Sequence, residues 1–177
     1  MIPILFACGE KAGNSQDTTP SVENFNYTVD KFADIEILRY RVPDFEKLSL
    51  KQKELIYYLS QAAIEGRDIL YDQNNKHNLC IRRTFEAVYE NYKGNRESDE
   101  FGQFTTYLKR IWMANGIHHH YSEDKMTPKF TAAYFAEVVK SIDPAKLPLQ
   151  KGETVDQLIK KLTPILFDPT VFPKRTN

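Results

Sequence analysis

Cysteine is scarce in this chain of 177 residues: only Cys8 and Cys80 occur, with no C-x-x-C unit. That rules out a disulfide framework and a thiolate zinc site. No apolar run approaches the ~20 residues needed to span a bilayer. Charge of one sign is also lacking, because 24 basic residues offset 24 acidic ones and the pI is near 6.9. A broad nucleic-acid surface is therefore not expected. The basic pairs Arg82-Arg83 and Lys109-Arg110 read as solvated helix faces. Catalytic signatures are missing too. The chain contains no H-E-x-x-H or H-E-x-x-x-H, no G-x-S-x-G elbow, no P-loop and no G-x-G-x-x-G. Adjacent carboxylates such as Asp99-Glu100 and Glu123-Asp124 do not face one another on a helix, so neither reads as an acid/base dyad.

What is present is the material of a packed core. Hydrophobic residues make up 41% of the chain, with ten Tyr, eleven Phe and one Trp. Aromatic side chains supply large contact areas, so this wealth is foremost a packing resource.

The pattern predicts a mainly α fold with a minor β component. Asp34 to Val42 reads as a strand on its β-branched and aromatic content, closed by Pro43-Asp44. Ser49 to Gln52 forms a capping box that opens a helix with Leu55, Tyr58, Leu59, Ala62, Ala63 and Gly66 on one inward stripe. A second helix is expected from about Asn78 to Tyr92, with Ile81, Phe85 and Val88 inward and Gly94 as its C-terminal cap. A third runs from about Ser98 to Ala114, stopped by Asn115-Gly116, with Phe101, Phe104, Leu108, Ile111 and Trp112 inward. A fourth opens at Thr127-Pro128 and a fifth covers Thr154 to Leu166, its last turn distorted by Pro164. The tail from Phe167 is extended.

Two features suggest an incomplete unit. A lone strand needs pairing partners, either the tail or a segment further downstream. The tail also stays apolar almost to its end. At the other terminus, Leu5-Phe6-Ala7-Cys8 resembles a bacterial lipobox, although no basic residue precedes it and the apolar run is short. On that reading residues 1–24 are a truncated signal and flexible tether, with Cys8 as the lipidation site and the cell envelope as the location. If the match is accidental, the location is cytoplasmic. Residues 25–177 then form the structured part.

Four histidines occur: His77 and the run His118-His119-His120. In an extended segment His118 and His120 face one side and could begin a metal site. A stable site needs a third or fourth ligand, and nothing in the spacing brings Glu123 or Asp124 to them. Loop histidines that are solvated, hydrogen-bonded or in contact with substrate are the better reading.

Several runs, in order and spacing, carry a family resemblance. They are Leu48 to Ala63, Gly66 to Gln73, Ile81 to Thr84, Tyr107 to Tyr121 and Phe167 to Arg175. Together they resemble the N-terminal part of bacterial, Bacteroides-type members of the dipeptidyl peptidase III family. The resemblance implies a two-lobed zinc exopeptidase that removes dipeptides from the N-termini of short peptides. It places this chain at the opening of the substrate-binding lobe, which is built from a β-barrel and helices. The zinc ligands and the catalytic Glu of that family have no counterpart here. No cofactor is thus expected in this chain, and zinc belongs to the full-length parent. The segment Asn115-Gly116-Ile117-His118-His119-His120-Tyr121 matches a part of the family that approaches the cleft. It makes Asn115, Gly116, His118, His120 and Tyr121 candidate substrate contacts, Tyr121 foremost. The alternative is an envelope-tethered helical binding module without catalysis.

Overall fold

The computed structural model describes residues 25–175. The tether and Cys8 lie outside the described residues. The chain divides into two compact units, one ending at Arg41 and one beginning at Val42.

The first unit is a hairpin. Strand β1 (Thr28–Phe32) pairs antiparallel with β2 (Ile35–Leu38). Phe32 stands opposite Ile35, so the connection is a two-residue turn in which Ala33 takes a left-handed backbone, φ 49°. The expected strand is thus shorter than the sequence pattern suggests, and among the described residues its partner is not the tail. The partner is the run just before it, whose alternation of Thr28, Asp30 and Phe32 with Val29 and Lys31 is too polar to stand out. Arg39 seals the open end, donating from its amide to the Tyr27 carbonyl at 2.8 Å and from Nε to that of Asn26 at 2.7 Å.

The second unit is helical. Six helices follow one another: α1 (Leu50–Glu65), α2 (Arg67–Asn74), α3 (Asn78–Asn91), α4 (Asp99–Ala114), α5 (Ala132–Lys140) and α6 (Val155–Phe167). Among the described residues no helix is long and apolar enough to cross a membrane. Capping sets most of the starts. Ser49 and Thr154 each close a capping box with a glutamine three residues on. Ser98 and Thr131 accept from the Phe101 and Tyr134 amides. The fourth expected helix therefore begins at Thr131 and not at Thr127-Pro128. The intervening Phe130 is buried among Phe85, Phe104 and Tyr107, and holding it there leaves the cap to the next threonine. Helix α3 stops at Tyr92 in extended backbone, without a glycine cap. Gly94 serves packing instead, because a Cβ there would stand 2.2 Å from the Tyr92 hydroxyl. Helix α6 runs past Pro164 to Phe167.

The core lies between α3, α4, α5 and α6. Phe85 sits at its centre, stacked on Phe104 at 4.5 Å between centroids and on Phe135 at 5.7 Å. Ile81, Val88, Leu108, Ile111, Leu158 and Leu162 surround it, all fully buried. Full burial of each such side chain contributes about 1.5–3 kcal/mol. Trp112 lies at the edge, half-buried, with Nε1 donating to Glu86 at 2.9 Å. Helix α2 adds the fully buried Tyr71. Arg82 stands 4.6 Å above that ring and 2.7 Å from Asp68. Arg82 is therefore a packed ion-pair partner, and of the Arg82-Arg83 pair only Arg83 is exposed.

Helix α1 departs most from the sequence pattern. None of its residues is buried. The expected inward stripe is open, with Leu55 at 58%, Tyr58 at 68% and Leu59 at 60% exposure.

Candidate functional site

The loop after α4 is built by backbone geometry that its sequence dictates. Asn115 takes the left-handed conformation that ends α4, φ 51°, and its amide returns to the Ile111 carbonyl. Gly116 follows at φ 148°, a region open only to glycine at low cost. It also lies against Asn78: a Cβ at Gly116 would come within 2.1 Å of Asn78 Nδ2.

Asn78 is the clamp that sequence reasoning missed. It is fully buried at the start of α3. Its Nδ2 donates to the Tyr71 carbonyl at 3.3 Å, and its Oδ1 accepts from the Ile117 amide at 3.2 Å. Asn74 donates to the Asn115 carbonyl at 3.1 Å. Helices α2 and α3 thus grip the loop from one side. These pairings span 39 and 41 positions, so no local spacing announces them. On the loop's other arm the Met126 amide donates to the Ile117 carbonyl, and the His119 amide to that of Asp124, both at 2.8 Å. Tyr107, buried in α4, donates its hydroxyl to the Met126 carbonyl at 3.0 Å. Burial raises the Tyr107 pKa, keeping it a donor.

The tail pairs with this hairpin. Lys125 donates from its amide to the Pro173 carbonyl, and Arg175 to that of Glu123, each at 3.1 Å. Lys125 Nζ reaches the carbonyl of Val171 at 2.8 Å and that of Asp168, the cap residue of α6. A cation there complements the negative end of the helix dipole. Arg175 and Glu123 pair at 2.7 Å. Phe172, at φ 51°, presents its carbonyl to His118 Nε2 at 2.8 Å.

These contacts sort the histidines. His118 is 2% exposed and turned inward. Its Nε2 must carry the proton, since a carbonyl only accepts, and Nδ1 has no hydrogen-bond partner. Burial, with Lys125 and Arg175 nearby, lowers its pKa against the opposing pull of the Phe172 carbonyl. His119 is half-buried, and its Nδ1 accepts from the Tyr121 and Ser122 amides, each at 3.2 Å. His120 is exposed, with its ring 4.6 Å from that of His119 and 4.3 Å from that of Tyr121. His118 forms an antiparallel bridge with Lys125 and the chain turns from His120, so the run is not a continuous strand; His118 is buried and His120 is exposed. Among the described residues no three His, Cys, Asp or Glu side chains converge as a metal group.

Of the five sequence candidates, Gly116 and His118 are interior, Asn115 is half-buried, and His120 and Tyr121 face solvent. Tyr121 is 85% exposed at the tip. The result is a rigid turn carrying a ladder of three aromatic rings. Such a ladder can stack against a planar group or an apolar side chain. No family model matches the chain, and no curated protein matches it in sequence.

Proposed function

We propose that this chain is the N-terminal portion of a zinc-dependent dipeptidyl peptidase III, inactive alone, which supplies scaffold and one peptide-contacting turn to the substrate lobe. The observation that carries the reading is the aromatic turn at His119, His120 and Tyr121. It is fixed from both sides by Asn78, Asn74 and the tail, yet ends in a tyrosine free to meet a ligand. Preorganisation of this kind lowers the entropic cost of binding a flexible peptide. In the parent protein zinc would sit on residues outside this chain, and Cys8 would carry a lipid anchor to the envelope. The order of the matching runs supports the family assignment. The open face of α1, expected in an interior helix, agrees with a chain that packs against more protein.

The test lies in the reading frame and in activity. A frame that continues to an H-E-x-x-x-H helix, with chelator-sensitive release of dipeptidyl-naphthylamide by the whole product, supports the proposal. A gene product that ends at Asn177 and shows no such activity refutes it.

A second reading, an envelope-tethered helical binding module without catalysis, is favoured by the continuous core of α2 to α6. A sharp, monomeric thermal transition of residues 25–177 supports the module. A molten or aggregating product counts against it.

A further inference from the structure

The peptide-contact reading uses His119 only as one ring of the aromatic ladder, yet its polar atoms build the turn. The residue is half-buried behind the exposed tip. Its carbonyl accepts from the Glu123 amide at 3.0 Å, closing the turn over residues 120–122. Its ring caps the same turn, with Nδ1 accepting from the Tyr121 and Ser122 amides, each at 3.2 Å. This is the task of a helix N-cap oxygen, performed here by a ring nitrogen. The chemistry differs in one respect. A Ser or Asp oxygen keeps its lone pairs near neutral pH, whereas an imidazole nitrogen gives up its lone pair on protonation.

We propose that His119 is the positioning residue of the turn: its neutral Nδ1 holds Tyr121 at the tip, and protonation of that nitrogen releases Tyr121. The consequence for binding rests on the reading of the turn as a peptide contact. Neutral His119 that accepts at Nδ1 carries its one ring proton on Nε2. A proton taken from water by Nδ1 sets an N–H against two N–H donors, so both bonds break together. The capture is therefore full in neutral and alkaline solution and is lost in acid.

The surroundings of the ring do not replace those bonds. Within the turn, the His120 ring lies at 4.6 Å and the Tyr121 ring at 6.1 Å. On the facing arm, the Asp124 carboxylate acts on the ring through its charge, but it is already paired with Lys174 of the tail. Lys174 Nζ also reaches the Ser122 carbonyl at 3.4 Å. Glu123 turns its carboxylate to Arg175. Asp124 eases a charge on the ring, but Nδ1 itself faces the two amides, so the charge forms at the expense of the turn.

Two variants of the 177-residue chain test this. His119→Asn puts an amide oxygen about where histidine carries Nδ1, and that oxygen does not titrate. His119→Ala puts no acceptor there. NMR measures the protection of the Tyr121 and Ser122 amides against hydrogen exchange, each normalised to its intrinsic rate, at about pH 7.5 and about pH 5. At the higher pH, His119→Ala loses roughly three- to tenfold of the protection and His119→Asn keeps it. At the lower pH the parent falls to the level of the alanine variant, and the asparagine variant does not. His118 is present in all three proteins, so its titration cancels. Parent protection indifferent to pH, an asparagine variant that follows the parent into acid, or an alanine variant as protected as the parent would each overturn the proposal. The peptide-contact reading is judged separately, on the whole gene product. There the KM for dipeptidyl-naphthylamide of His119→Asn, relative to the parent, should fall several-fold from the higher to the lower pH, with the kcat ratio constant. A constant KM ratio alongside pH-dependent protection removes the peptide contact from the turn and leaves the positioning role of His119 supported.

Discussion

Replacing Gly116 by alanine tests how the candidate turn is held. Two effects add. The backbone there stands at φ 148°, and forcing a Cβ into such a region costs about 1–3 kcal/mol. The new methyl would also stand 2.1 Å from Asn78 Nδ2 and 2.6 Å from its Cγ. Asn78 is buried on all sides and cannot swing away without giving up its bonds to the Tyr71 carbonyl and the Ile117 amide. Leaving buried groups unpaired costs about 1–3 kcal/mol. The expected loss is therefore about 2–6 kcal/mol, or a fall of roughly 5–20 °C in Tm for a domain of this size. Urea and thermal unfolding monitored by circular dichroism measure it. Hydrogen exchange at the Ile117 and Met126 amides should accelerate as the turn loosens. Gly102→Ala is the control: it lies within α4 with nothing inside 4 Å of its added Cβ, and it should stabilise by about 0.5–1 kcal/mol. A Gly116→Ala protein within about 1 kcal/mol of the parent would refute the clamp argument.

Phe85→Ala should cost about 3–5 kcal/mol by urea denaturation, because the ring sits fully buried between Phe104 and Phe135. Stability should also fall as pH drops below about 6.5. His118 and His77 both have pKa values lowered by burial, so the folded state favours their neutral forms. Their contribution is full above the unfolded pKa and is lost as pH falls through the folded values. Urea midpoints at pH 7.5 and pH 5 measure this, and His118→Asn should flatten the slope in that window; an unchanged slope argues against His118 as a source. Tyr121→Ala should leave stability within about 0.5 kcal/mol, given its exposure. It should weaken peptide binding several-fold by calorimetry on the whole gene product, and unchanged affinity would remove Tyr121 from the proposed site. Lys125→Met should lower Tm by a few degrees and speed proteolysis after Phe167, since Lys125 Nζ holds the carbonyls of Asp168 and Val171; a tail as resistant as the parent's would contradict that role.

Much of the fold is legible from local chemistry. Ser49, Ser98 and Thr154 announce helix starts because an N-cap needs only a side-chain oxygen and the amides two or three residues on. Asn115-Gly116 announces the end of α4, since few residues accept left-handed backbone. The inward faces of α3, α4 and α6 follow from apolar residues at helical spacing. The same spacing fails for α1, because periodicity records a face that can be covered and does not say what covers it. It fails for Thr127-Pro128 as well, where the demand to bury Phe130 overrides a sound local cap.

The histidine run shows the division most sharply. The sequence by itself determined that a loop carrying three histidines and a tyrosine follows α4. Only the tertiary structure decided that His118 turns inward to the Phe172 carbonyl while His120 and Tyr121 face solvent. The physical reason is range. Caps and turns are settled by neighbours a few positions away, whereas the side a loop residue faces is settled by partners such as Asn78 and Phe172, 39 and 54 positions distant.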